Sequence, residues 1–240
     1  KKRKKAFVLF ICIVGICFLV TRMVRVEDKT TVKVHNMHTE QNEKAIRYVA
    51  SNMIKEDPKI AITFDDGPSP AWTPQLLDGL KERNVKATFF LIGENAKNNP
   101  ELVKREAEEG HLIGNHTYHH VEITRVPDET AQEEILMTNE VITGITGEEV
   151  SYMRPPFGVW QKNLERKLDV MPVLWTIDPL DWTTDNEDEI INKVVTQAGE
   201  NDIILLHDCY ESSVNAALRI VDILQKEGFE FVTVDELIMN

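Results

Sequence analysis

A chain of 240 residues with 42% apolar content can bury a substantial core, so one globular unit with a short appendage, acting as a monomer, is expected. The formal charge is −13, and Lys1, Lys2, Arg3, Lys4, Lys5, Arg22 and Arg25 leave only 20 of the 27 bases to the rest of the chain, against all 40 acids. An acidic body of this kind excludes nucleic acid as a partner, because phosphates select basic surfaces.

Residues 1–5 and the apolar run 6–20 form a basic leader and a hydrophobic segment, the pattern of an export signal or a membrane anchor. Fifteen apolar residues span roughly 22 Å as a helix, short of a ~30 Å hydrocarbon core unless Arg22 and Arg25 snorkel. No small-x-small cleavage site follows. The expectation is therefore an uncleaved single-pass anchor over 1–26 with the body outside the cell membrane, the alternative being secretion after cleavage. Residues 27–57 are polar, with a weak helical stripe at Ala45, Ile46, Val49 and Met53, and read as a stalk. His35 and His38 there read as solvated. Cys12 and Cys17 lie in the apolar run, so Cys209 has no disulfide partner in the body.

From residue 58 to 240, β-rich runs alternate with amphipathic stretches. Strands are expected over 60–64, 87–92, 112–114, 152–154, 172–177, 203–206 and 229–232, with helices near 74–83, 100–109, 128–143, 161–167, 187–197 and 214–227. Seven strands alternating with helices imply an α/β fold with a parallel sheet, open or closed into a barrel. In such folds chemistry collects at the C-terminal ends of strands.

The first strand ends in Asp65 and Asp66, after which Gly67 and Pro68 turn the backbone away. Adjacent carboxylates repel unless a cation or a shared proton relieves them. After the third strand, His116 and His120 are four apart and would share a face on a helical turn, with His119 pointing off it. Two imidazoles and one carboxylate suit a hydrolytic metal site with open positions. Thr117 stands where a zincin motif has Glu. The fourth strand leads to Arg154-Pro155-Pro156-Phe157-Gly158, a stiff loop in which Arg154 could orient Asp65. The fifth leads to Asp178, Asp181 and Trp182, where the indole lines a pocket or caps the core. The sixth ends in His207, a general acid if a carboxylate such as Asp181 keeps it protonated, or else a core histidine bonded to a carbonyl. No serine or cysteine sits in a nucleophile-elbow pattern.

In order and spacing, residues 63–68, 116–120, 154–158, 178–182 and 205–208 resemble the five motifs of the polysaccharide deacetylase family, carbohydrate esterase family 4 or the NodB-homology domain. The resemblance covers about residues 58–240. It implies a distorted (β/α) barrel of about seven strands and metal-dependent removal of acetyl groups from a cell-envelope polysaccharide, with N-acetylglucosamine of peptidoglycan the nearest substrate. It further implies that Asp66, His116 and His120 bind one divalent metal and that Asp65 is the base, held by Arg154. His207, supported by Asp181, would be the acid. The Phe157 backbone N–H would meet the oxyanion, and Trp182 and Leu205 would enclose the acetyl methyl. Many relatives have Tyr where this chain has Phe157. Zinc suits the ligand set, and cobalt, nickel and manganese are compatible with it. Two alternatives stay open at this stage: an O-acetyl esterase acting on a polysaccharide such as xylan, and a catalytically silent glycan-binding module.

Overall fold

Alternation along β1 (Lys59–Asp65) sets the plan of the fold. Successive side chains of a strand point to opposite faces. Ile60, Ile62 and Phe64 pack with Leu76, Leu77, Leu80 and Ile220 in the large core, while Ala61 belongs to a separate cluster with Phe90 and Val173. Each large side chain so buried contributes about 1.5–3 kcal/mol. Thr63 and Asp65 share the face of Ala61, and both are bonded by Arg154. One face of the strand thus builds the core, and the other carries polar chemistry inward.

The computed structural model describes Lys44, residues 57–161, residue 164 and residues 168–239. The anchor and stalk expected over 1–57 lie almost wholly outside the described residues, as does most of the helix expected over 161–167. Among the described residues no helix is long and apolar enough to cross a membrane.

Among the described residues, the compact unit that begins at Asp57 has seven strands. They are β1, β2 (Thr88–Leu91), β3 (Leu112–Asn115), β4 (Tyr152–Met153), β5 (Met171–Pro172), β6 (Ile203–His207) and β7 (Glu230–Phe231). The order is β5-β4-β3-β2-β1-β6, every pairing is parallel, and β7 joins β1 near its start. The helices are α1 (Thr73–Glu82), α2 (Gly93–Asn98), α3 (Pro100–Glu108), α4 (Asp128–Thr146), α5 (Glu187–Val195) and α6 (Glu211–Lys226) between the strands, and α7 (Val234–Met239) after the last of them. Pro74 and Pro100 open α1 and α3, where a missing N–H costs nothing. Gly147, at φ 79°, ends α4 with its N–H on the Thr143 carbonyl.

The sheet curls. The run expected as a strand over 172–177 pairs with β4 only at Met171 and Pro172, then reaches β6 through one parallel bridge between Ile177 and Ile204. The Val173 N–H still reaches the Met153 carbonyl, and beyond it the chain crosses from β5 at one edge towards β6 at the other, so no continuous ladder forms.

Register decides where the chemistry meets. Asp65 is level with Phe90 and with His207, and Asn115 is level with Leu91 and with Met153. The residues just past these positions, Asp66, His116 and Arg154, therefore emerge side by side at the C-terminal rim.

Candidate active site

Asp65, Asp66, His116, His120, Phe157, Trp182, Leu205 and His207 all line one cleft of about 410 Å³, together with Trp175, Asp178, Leu180 and Tyr210. Arg154 and Asp181 lie beneath it, 0% and 1% exposed. The rim loops hold unusual backbone. Among the described residues, five of the seven non-glycine positions at positive φ belong to them: Asp66, Thr117, His120, Phe157 and Leu180. Such conformations cost of order 1–3 kcal/mol each and persist only where surrounding contacts hold them.

The expected helical turn at 116–120 is not formed. His116 continues β3 with its N–H on the Leu91 carbonyl, and Thr117 (φ 60°) and His120 (φ 56°) both take left-handed backbone. The two imidazoles converge all the same, their ring centroids 5.0 Å apart. His116 Nδ1 lies 2.7 Å from the Arg154 carbonyl oxygen, which can only accept. Nδ1 therefore carries the proton, and the Nε2 lone pair is free to face the cleft.

Nε2 of His116 and Nε2 of His120 each lie 3.4 Å from Asp66 Oδ1. That is long for a charge-assisted hydrogen bond, which runs about 2.7–2.9 Å. It matches the separation of two donors on one tetrahedral ion, roughly 3.3 Å for bonds of about 2.0–2.1 Å. Asp66 Oδ1 is buried with no hydrogen-bond partner, and the three donor atoms lie within 4.8 Å of one another. The set fits a divalent ion. Burial pushes the His120 pKa down, helped by the neighbouring His116 and opposed by Asp66 and Asp65, a direction that favours the neutral ring a ligand needs. Burial alone would raise the Asp66 carboxyl, but His116, His207 and His120 together hold it below the ordinary range.

Asp65 is 3% exposed. Arg154 Nη1 donates to its Oδ1 at 2.8 Å and to Thr63 Oγ1 at 2.7 Å, while Oδ2 stands 3.8 Å from His116 Nε2. One carboxylate oxygen is thus anchored and the other faces the ligand set. Nε and Nη2 of Arg154 donate to the Val173 and Leu174 carbonyls, and its guanidinium lies 4.2 Å from the centre of the Phe90 ring. On the far side of the cleft, Asp181 Oδ2 accepts the His207 backbone N–H and Oδ1 meets His207 Nδ1, both at 2.8 Å. Burial opposes the charged ring, yet the Asp181 carboxylate prevails and His207 is pushed up to about 9. His207 Nε2 stands 4.0 Å from Asp66 Oδ2. His207 is therefore no core histidine bonded to a carbonyl. Nor does Trp182 cap the core, since it is 56% exposed.

The segment covering residues 52–173 matches the family model described as polysaccharide deacetylase. A peptidoglycan-N-acetylglucosamine deacetylase of Bacillus cereus is 39% identical over 199 residues, covering 80% of this chain and 93% of its own length. The chain belongs to the polysaccharide deacetylase family. The peptidoglycan-N-acetylglucosamine deacetylase PgdA of Listeria monocytogenes is 37% identical over 216 residues, 87% of this chain, and this chain spans about half of its length (46%). Among solved structures, the peptidoglycan deacetylase PdaC of Bacillus subtilis superposes with a TM-score of 0.74 at 39% identity, over 75% of this chain and 90% of its own. The curled parallel sheet is the fold shared with these deacetylases.

Sequence reasoning missed several residues of the site. Thr63 braces Arg154 and donates to the Ile204 carbonyl, and Tyr210 stands beside His207 with ring centroids 6.2 Å apart. Asn115 and Glu134 hold the turn that carries the histidines. A polar Thr among β1's apolar residues was the one local sign of Thr63's role. Tyr210 and Glu134 leave no such sign, because their partners are fixed only by the fold.

Proposed function

We propose that this chain is a metal-dependent hydrolase that removes N-acetyl groups from a cell-envelope glycan, with N-acetylglucosamine of peptidoglycan as its substrate. The observation that carries this reading is the arrangement of Asp66, His116 and His120 as one donor set, with the free oxygen of Asp65 beside it and His207 across the cleft. The names of the similar deacetylases support the substrate class.

A divalent ion held by Asp66, His116 and His120 supplies Lewis acidity, polarising water and the acetyl carbonyl. Zinc is the proposed ion, two nitrogens and a carboxylate being a set it favours. Asp65 accepts a proton from the attacking water through its unanchored oxygen, and Arg154 keeps that oxygen turned inward. The Phe157 backbone N–H adds a hydrogen bond to the developing oxyanion. His207, with Nδ1 tied to Asp181, gives the Nε2 proton to the departing nitrogen as the C–N bond breaks. Acetate and a free amine result. Trp182 and Leu205 form the apolar wall for the acetyl methyl. The basic leader and apolar run of residues 1–26 tether the domain to the outer face of the cell membrane, within reach of the wall.

The test is mass spectrometry of chitin oligomers, muropeptides and acetylated xylan incubated with the protein, with and without chelator. Loss of one acetyl per N-acetylated sugar, abolished by chelator and restored by zinc, is expected. Release confined to xylan would replace the amidase reading with the esterase one, and no release from any of them would leave only a binding module.

A further inference from the structure

We propose that Glu134 is a positioning residue for the metal site, holding the left-handed turn that brings His120 to the ion. The inference rests on the metal reading given above, and begins with a misfit in α4. The buried residues of that helix are Ala131, Glu134, Ile135, Thr138 and Ile142, an apolar-type stripe at three- and four-residue spacing with a carboxylate set into it. Glu134 is 7% exposed. Burying an acid there is unfavourable unless both oxygens are satisfied. They are satisfied by a single residue: Oε2 accepts the His119 backbone N–H and Oε1 meets His119 Nδ1, each at 2.8 Å.

His119 sits between the two positions that need holding. Thr117 and His120 both lie in the left-handed region, and His120 carries the ligand nitrogen. The same turn of α4 fastens the start of the loop, since Asn115 Nδ2 donates to the Ile135 carbonyl and to Asn139 Oδ1, while Asn115 Oδ1 accepts the Thr117 N–H. One stretch of helix, 134–139, therefore grips the loop before and after Thr117. Glu134 is the only charged member of this grip, and it bonds the residue directly ahead of the ligand. His119 itself turns its ring away to a half-exposed position and offers no nitrogen to the ion.

Removal of a group that orients a ligand typically weakens metal binding 10–100-fold. The experiment titrates zinc into chelator-stripped full-length protein against a competing chromophoric chelator, for wild type, Glu134→Ala, Glu134→Gln and His119→Ala. Visible spectra of the cobalt-loaded forms report ligand geometry. Glu134→Ala is expected to bind zinc 10–100-fold more weakly with an altered cobalt spectrum, while its metal-free form still unfolds cooperatively. Glu134→Gln, which keeps an acceptor for the backbone N–H, should fall between Ala and wild type. His119→Ala should stay within about threefold of wild type, because the backbone bond survives. Zinc affinity in Glu134→Ala and Glu134→Gln within threefold of wild type, or a Glu134→Gln variant that binds less only because it no longer folds, would overturn the positioning role. If wild type itself binds no zinc, the proposed metal site fails as well, so the two failures are separable.

Discussion

Replacing Arg154 by Met tests how the base is held. The side chain is 0% exposed and gives Asp65 its one hydrogen-bonded counter-charge. Its own burial lowers its pKa, an effect that the Asp65 charge opposes. Breaking a buried pair by removing one partner costs about 3–5 kcal/mol, whereas replacing both partners is far milder. For a domain of this size such a loss lowers the melting temperature by about 10 °C. The Val173 and Leu174 carbonyls also lose donors, but they lose them equally in Arg154→Met and in the double variant with Asp65→Asn, so a double-mutant cycle cancels that part. Urea unfolding of the metal-free proteins, followed by circular dichroism, should show Arg154→Met down by about 4 kcal/mol and the double variant scarcely lower. With Asp65→Asn alone as the fourth corner of the cycle, a coupling energy of at least about 3 kcal/mol is expected. Additivity within about 0.5 kcal/mol would refute the claim that Arg154 chiefly neutralises and orients Asp65.

His207 has a folded pKa of about 9 against an ordinary 6.5. Being raised, it contributes stability fully present below pH 6.5 and lost as pH climbs through 9, roughly 3 kcal/mol at about 1.36 kcal/mol per pH unit. Urea midpoints of the metal-free protein should fall across that window, and Asp181→Asn should flatten the fall; an unchanged slope would contradict the Asp181 pairing. Glu106 is fully buried, and burial together with the Asp208 charge raises its pKa well above the ordinary value. Neither of its oxygens has a hydrogen-bond partner. Glu106→Leu is therefore expected to raise stability by about 1–3 kcal/mol at pH 7, read from the urea midpoint, and a loss would mean the carboxyl is bonded after all. Asp66→Ala should abolish zinc binding in a dialysis assay by elemental analysis, while His207→Ala should keep the ion and lose about 100- to 10,000-fold in kcat.

Chemistry at strand tips was legible because it depends on local order. A strand, a turn and a reactive side chain follow one another in sequence at Asp65, His116, Arg154 and His207. What was illegible depends on backbone or on distance. The spacing of His116 and His120 reads as a helical turn, but two left-handed residues produce the same convergence, and nothing in Thr117 announces positive φ. The break in the strand expected over 172–177 follows from sheet curvature, which no single segment encodes. Helix α2 was missed because Gly93–Asn98 is one short, polar segment with only Gly93 and Ala96 buried. Helix α6 starts at Glu211 rather than Val214 because Ser212 and Ser213, polar by type, are buried against the fold.

The central claim is that Asp66, His116 and His120 grip an ion while the neighbouring Asp65 only moves a proton. Its most direct test is acetate released from N-acetylglucosamine oligomers by Asp65→Asn, with zinc content measured on the same sample. The account predicts about one zinc per chain and acetate release reduced at least 100-fold. A variant that keeps its zinc and releases acetate at the wild-type rate would contradict it.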